Sequence, residues 1–374
     1  MDVESQHPLD SGYRRSMESS DGPLSGVRVI EFAGIGPGPH CAMLLADLGA
    51  EVLRIDRAGG NGWPNPVVDR GRSVLTLDIK SDAGREQCAR LSTRADVLIE
   101  GFRPGVMERL GLGPERLLAS NPKLVYARMT GWGQTGPKAK IAGHDINFIA
   151  LSGVLEAIGE PGGRSVPPLN LVGDFGGGSL FLAFGILAAL LERARSGQGQ
   201  VIDGAIVDGV ASLMTMFSGL IPSGRLSVDR SENILGGAAP FYRTYRCADG
   251  EEVAIGPLEP AFYRELLQAI GAPARLADTQ YDRATWDEQA RVLGEIFLSK
   301  TREAWCALLE STDACFAPVL DFAEVPADPH HEARGVYRQI DGHWHAAPAP
   351  RFSRTPGRIR EGEDVRSLME RWLA

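Results

Sequence analysis

Val27-Arg-Val-Ile-Glu-Phe-Ala33, Gly34-Ile-Gly-Pro-Gly-Pro39 and Glu51-Val-Leu-Arg-Ile-Asp56 are the stretches that decide the fold. The first and third are apolar, β-branched runs of strand length, and the second is a turn. Cys41, Leu44, Leu45 and Leu48 follow that turn at i, i+3, i+4 and i+7, the spacing of one buried helix face. Gly49 stands where a helix ends. Strand, helix and strand in this order make a βαβ unit, whose default is a parallel pair with a right-handed crossover.

The alternation continues outward. Ser81 is placed to cap a helix running to about Ser92, and residues 96–100 and 124–128 read as further strands. The glycine turn Gly173-Asp-Phe-Gly-Gly-Gly-Ser179 opens a long apolar helix over about 180–193, and Val201-Ile-Asp203 begins another strand. The first 200 residues therefore read as an open α/β domain. After a helix and a polar linker over about 205–235 the texture changes. Residues 241–247 and 252–255 flank Asp249-Gly250, a hairpin signal, and helical patterns cover roughly 261–270, 285–298 and 302–310. This is a smaller α+β domain. Ala346-Ala-Pro-Ala-Pro-Arg351 leads as an extended linker to a short C-terminal helix ending at Trp372.

Composition bounds the function. Glycine makes up 45 of 374 residues, well above its usual share of about 7%. Hydrophobic residues at 43% and charged residues at 23% describe a globular protein with ample core, which excludes collagen, coiled coil and global disorder. The net charge of −9 gives no general attraction to nucleic acid or an anionic membrane, so an anionic ligand needs a local cluster of cations. Five scattered cysteines (41, 88, 247, 306 and 315) without a C-x-x-C pair read as reduced thiols, and a cytoplasmic location is expected. The apolar run over 180–191 is too short to span a bilayer, and residues 1–22 read as a polar, disordered tail without a signal peptide.

Gly34-x-Gly36 after a strand, with Asp56 about 20 residues on, suggests a dinucleotide site. The third glycine of that fingerprint falls on Pro39, so a tight strand-to-helix turn is the simpler reading. Arg57, Arg70, Arg72, Lys80, Arg103 and Arg109 instead gather near predicted strand ends, where open α/β sheets bind ligands. Paired guanidinium donors suit phosphate, although any one arginine reads equally as solvated surface. His144 begins a helix, where the macrodipole disfavours the imidazolium and leaves a neutral base, or else it is a cap. Asp174 precedes a helix and reads as an N-cap, but the glycines after it form a nest of N–H groups able to stabilise an oxyanion. Asn170 adds a donor. Glu259 is a carboxylate in the proline-stiffened Gly256-Pro-Leu-Glu-Pro260. His330-His331 and His343-Trp-His345 lack completing ligands, so no metal site is read.

Several long motifs in order resemble the family III CoA-transferase (CaiB/BaiF) superfamily. They are Gly34-Ile-Gly-Pro-Gly-Pro-His40, Ala95-Asp-Val-Leu-Ile-Glu-Gly-Phe-Arg-Pro-Gly105, Arg128-Met-Thr-Gly-Trp-Gly-Gln-Thr-Gly-Pro137, Gly143-His-Asp-Ile-Asn147, Asn170-Leu-Val-Gly-Asp-Phe-Gly-Gly-Gly178 and Leu258-Glu-Pro260. The similarity covers about 22–354. It implies a Rossmann-like large domain over 23–204 completed by 348–374, a linker at 205–234, a small domain at 235–329 and a return linker at 330–347. It also implies an interlocked homodimer, with each site between one chain's large domain and the other's small domain.

Within that superfamily the resemblance is to members that racemise 2-methylacyl-CoA thioesters. It implies CoA contacts at Arg57, Leu77, Asp78, Ile79, Lys80, Gly101, Phe102, Arg103, Arg109, Gly143, Asp145, Ile146, Asn147 and Phe148. Catalysis is implied for His144, supported by Glu259, and for Asp174, with Asn170 nearby. Proton removal on one face and return on the other needs no cofactor beyond the CoA that the substrate carries. The alternative is a transferase in which Asp174 carries the acyl group as a mixed anhydride.

Overall fold

The computed structural model describes residues 22–60 and 62–374. The expected tail lies outside the described residues apart from Gly22. The chain divides into two units, the first holding the described residues as far as Ser152, with Leu169–Leu213 and Pro329–Ala374. The second holds Gly153–Pro168 and Met214–Asp328.

The first unit is built on six parallel strands: β1 (Arg28–Phe32), β2 (Glu51–Asp56), β3 (Arg72–Thr76), β4 (Val97–Glu100), β5 (Val125–Thr130) and β6 (Val201–Ala205). Their order is β3-β2-β1-β4-β5-β6, with Arg28 opposite Glu51 and Val29 opposite both Val52 and Val97. That order reverses direction between β1 and β4, so the crevice outside their carboxyl ends is where ligands bind in such sheets. The expected βαβ alternation is present because β1 and β4, covered on both faces, are almost continuously apolar and buried.

The helices that matter for the site are α1 (Pro37–Asp47), α2 (Asp82–Ser92), α3 (Asp145–Leu151), α4 (Phe181–Ser196) and α5 (Ile206–Leu213). Pro37 opens α1 at a position where its missing N–H costs nothing, and Ser81 caps α2 by accepting from the Gly84 N–H at 3.0 Å. The C-terminal helix Val365–Leu373 buries Leu368 and Trp372 in the first unit, and Trp372 donates to Glu51 at 2.7 Å. Residues 173–179, expected as a glycine turn, lie in a π-helix, Leu171–Leu180, that runs directly into α4. The combined Leu171–Ser196 is by length and composition apolar enough to cross a membrane, so the run is longer than expected. In this fold α4 packs on β5 and β6 through a face that buries Leu182, Ile186 and Ala189. Phe184, Leu187 and Leu191 of α4, with Leu180 at the end of the π-helix, are left exposed.

Residues 206–213, expected as the helix that opens the 205–235 stretch, form α5, packed against the π-helix. Residues 330–347, expected as a return linker, hold most of the helix Pro329–Arg334 and an antiparallel pair, Tyr337–Ile340 with His343–Ala346. His345 of that pair is buried and lies 3.3 Å from Arg70.

The second unit contains an antiparallel sheet in the order β7 (Arg243–Arg246), β8 (Glu252–Ile255), β9 (Phe316–Pro318). The expected hairpin joins the first two strands, with Gly250 at φ 86°. Helices α6 (Pro260–Ala269), α7 (Trp286–Phe297) and α8 (Arg302–Leu309) cover it. Phe241, Tyr263, Trp286, Phe297 and Trp305 form its core, and Phe241 meets Tyr263 and Trp286 with ring centroids 5.7 and 6.1 Å apart.

One layer of the first unit is charged rather than apolar. Arg72 and Glu31 pair at 3.0 Å with neither side chain exposed, and the Arg72 guanidinium also donates to the carbonyls of Val68 and Pro39. Arg54 pairs with Asp69 and Asp56, and Arg70 with Asp47 at 2.6 Å. Arg70 and Arg72 are therefore not free phosphate ligands, as their place in the basic cluster had suggested. A strand carrying Arg72, Ser73 and Thr76 escaped the hydrophobic pattern for the same reason. Removing one partner of a buried pair strands the other charge, so Glu31→Gln is expected to destabilise the fold by about 3–5 kcal/mol. Denaturant unfolding measures this, and a change under about 1 kcal/mol would show that the pair is not load-carrying in the core.

Candidate active site

The carboxyl ends of three neighbouring strands present the expected CoA segments. Arg57 follows β2, Leu77, Asp78, Ile79 and Lys80 follow β3, and Gly101, Phe102 and Arg103 follow β4. Arg57, Lys80, Arg103 and Arg109 are all exposed. Arg57 donates from Nε to the Gly60 carbonyl at 2.9 Å, and Asp78 is turned onto the Lys80 N–H at 2.9 Å. The loop after β4 is held from below. Buried Glu100 accepts the Phe102 N–H at 2.8 Å with one oxygen and Arg128 Nε at 3.0 Å with the other. Arg128 also reaches Glu108 at 2.8 Å. Burial pushes the Glu100 carboxyl up to about 6, against the pull of the Phe102 N–H and Arg128. Phe102 packs edge-on to Phe32, with centroids 6.1 Å apart.

His144 stands at the start of α3, exposed, as expected. Asn147 holds the turn: its Oδ1 accepts the His144 N–H at 3.0 Å, and its own N–H donates to the His144 carbonyl at 2.8 Å. As the first two residues of α3, Asp145 and Ile146 have N–H groups with no acceptor inside the helix. The Asp145 side chain has a different use from the ligand contact expected of it. It is buried, and its Oδ2 accepts the Asp174 N–H at 2.7 Å. Its other oxygen has no partner among the described residues. A Cβ on Gly173 would collide with this carboxylate, which is why glycine precedes Asp174. Phe148 also points inward, edge-on to Trp132 at 4.8 Å, whereas Ile146 is exposed and Gly143 half-buried.

Asp174 lies inside the π-helix, not before a helix as the cap reading expected. The Gly176–Gly178 amides consequently belong to helical backbone, and an open nest there is not what forms. Asp174 is half-buried, Asn170 Nδ2 donates to its Oδ2 at 3.4 Å, and a Cβ on Gly36 would come within 3.2 Å of the same oxygen. Burial raises the Asp174 pKa above the ordinary aspartate value. The Asn170 hydrogen bond opposes this, the Asp145 charge adds to it, and the neighbouring His144 opposes it. A half-buried carboxyl that holds its proton more tightly than usual, close to an exposed imidazole, is a pair of acid–base groups. Gly36 and His40 stand in the sequence only as parts of a strand-to-helix turn and a family motif; their contacts with Asp174 and Ser179 have no one-dimensional signal, because those partners lie far along the chain.

Glu259 belongs to the second unit, where it precedes α6 and is exposed. Its loop is clamped: Gln280 Nε2 donates to the Pro257 and Leu258 carbonyls at 3.0 Å, and Tyr281 donates to the Leu258 carbonyl at 2.5 Å. The carboxylate is thus presented on a fixed backbone. Among the described residues no three His, Cys, Asp or Glu side chains converge as a metal site.

Comparison with known proteins agrees with this architecture. The chain is 48% identical to a mouse protein named alpha-methylacyl-CoA racemase over 335 residues, 89% of this chain and 87% of that one. It is 44% identical to the human protein of the same name over 334 residues, with the same coverage. Among solved structures, a CAIB/BAIF family protein from Brucella suis superposes with a TM-score of 0.80 at 28% identity, covering 95% of this chain and all of that one. The family model of CoA-transferase family III matches residues 24–363. The chain belongs to CoA-transferase family III.

Proposed function

We propose that this chain is an isomerase that interconverts the (2R) and (2S) epimers of 2-methylacyl-CoA thioesters. The observation that carries the reading is the pair of acid–base groups at one site, exposed His144 at the start of α3 and proton-retaining Asp174 in the π-helix. The names of the mouse and human relatives support it.

In the proposed reaction the α C–H bond of the S epimer breaks and its proton passes to a ring nitrogen of His144. The electron pair delocalises onto the thioester oxygen as an enolate. The carboxyl of Asp174 then gives its proton to the opposite face of the α-carbon. The R epimer runs the same path backward, with Asp174 as base and the imidazolium as acid. The N–H groups of Asp145 and Ile146, beside His144, are the donors available to the enolate oxygen. One such donor is typically worth about 3–4 kcal/mol. Glu259 is proposed to orient His144, and Asn170 to steady the Asp174 carboxylate. Arg57, Lys80, Arg103 and Arg109 are proposed to take the phosphates of CoA. We propose a cytoplasmic homodimer, in which the apolar face of Leu180, Phe184, Leu187 and Leu191 is covered by the second copy.

One epimer of a 2-methylacyl-CoA incubated in deuterium oxide is expected to gain α-deuterium and lose configuration. Transfer of CoA to a free carboxylic acid without α-exchange would identify a transferase instead. His144→Ala and Asp174→Ala are each expected to slow epimerisation by about 10²–10⁴-fold. An Asp174→Ala enzyme of near-normal rate would sink the two-base scheme. Arg103→Gln is expected to raise KM by roughly tenfold with kcat little changed, since it removes a charge-assisted contact common to ground and transition states. A fall in kcat at constant KM would remove Arg103 from the CoA site.

The raised pKa of Asp174 has a consequence for stability. The folded state binds this proton more tightly than the unfolded state, so its contribution is full below about pH 3.9. It is lost as pH rises through the raised value, above which an ionised carboxylate sits half-buried. Asp174→Asn is therefore expected to raise the unfolding temperature at pH 7–8, near the ordinary assay range, and to leave it unchanged near about pH 3. Equal shifts at both pH values would contradict the assignment.

A further inference from the structure

The π-helix is an uncommon conformation that requires something to fix its register. The segment Gly36-Pro-Gly-Pro-His40 touches it at two places. A Cβ on Gly36 would meet the Asp174 carboxylate at 3.2 Å, while His40 Nδ1 lies 2.7 Å from Ser179 Oγ. Ser179 is completely buried, and the His40 ring packs on Phe175 with centroids 4.6 Å apart. Asp174 and Ser179 are five residues apart, the spacing that a π-helix brings into line by its i to i+5 bonding. In an α-helix the same two residues would diverge by about 140° around the axis, and one short segment could not engage both. The segment is itself anchored, because Arg72, paired with Glu31, donates to the Pro39 carbonyl.

We infer that His40 and Ser179 are a positioning pair that fixes the π-helical register and thereby aims the Asp174 carboxylate. Neither touches the reacting atoms. Burial lowers the His40 pKa, and the charges of Arg70 and Arg72 add to this, so the ring is a neutral hydrogen-bonding partner. The role assigned to Asp174 rests on the proposed racemase reading. The register of the π-helix does not.

The test therefore has two readouts on four proteins: wild type, His40→Leu, His40→Asn and Ser179→Ala. Asparagine offers an amide where Nδ1 stands, and leucine offers only bulk. The first readout is backbone hydrogen exchange by mass spectrometry. His40→Leu and Ser179→Ala are expected to speed exchange across residues 171–180 at least about tenfold while β1 and β4 stay protected, and His40→Asn to restore most of the protection. Unchanged protection in both variants would overturn the pair. The second readout is α-deuterium uptake from each epimer. With Asp174 misaimed, the S epimer still exchanges through His144 with retention, whereas uptake by the R epimer falls about 10- to 100-fold. An equal fall for both epimers would indicate general damage and would overturn the positioning role. Absence of α-exchange in the wild type would overturn the racemase reading alone, leaving the backbone readout to decide the pair. If His40→Leu fails to fold, Ser179→Ala carries both readouts.

Discussion

A close approach between two backbones is the constraint on which the site depends. Gly209 of α5 lies against the Gly177 backbone of the π-helix, so near that a Cβ on Gly209 would overlap the Gly177 carbonyl. Only glycine permits that contact. It lets α5 flank the π-helix while Gly178 comes close to Pro37 of α1, where a Cβ would stand 3.1 Å from the proline side chain. Asp174 is presented from a segment held on several sides, and its N–H is tied to Asp145 at the foot of α3. The two groups assigned to proton transfer are therefore fixed through one backbone-to-carboxylate bond. Rigid support of this kind is what near-attack geometry demands.

Electrostatics divides the arginines into two populations. Arg54, Arg70, Arg72 and Arg128 are buried and matched by Asp56, Asp69, Asp47, Glu31 and Glu100. They shape the sheet and its loops. Arg57, Arg103 and Arg109 stay exposed near the carboxyl ends of β2 and β4, giving a local cationic strip on a chain of net charge −9. The same low-dielectric interior that demands partners for the arginines pushes Glu100 and Asp174 upward. Glu100 has Arg128 to compensate its charge. Among the described residues Asp174 has Asn170 and His144 to offset its charge, and its carboxyl holds its proton more tightly than an ordinary aspartate.

Much of the sheet was legible because parallel strands buried on both faces are written as apolar runs, as in β1, β2 and β4. The strand of Arg72 was not, since its inward positions are filled by charge paired with Glu31 across the sheet. The glycine string after Asp174 reads locally as a turn, and only the packing of Gly177 and Gly178 against neighbouring helices makes it helical. His144 and Asp174 were visible as residue types beside predicted helix starts, and the family motifs added their roles. The inward commitment of Asp145 was not visible, because a carboxylate beside a histidine in a loop has no one-dimensional mark of burial. The pairing of His40 with Ser179 spans 139 positions, beyond any local pattern.

Asp174, a half-buried carboxyl that keeps its proton beyond the ordinary range, is the centre of the proposed mechanism. Carbon-13 NMR of aspartate-labelled protein, with the Asp174→Asn spectrum to assign the signal, measures that titration directly. The expected midpoint lies clearly above the unperturbed value of about 3.9. A midpoint at or below that value would contradict the mechanism.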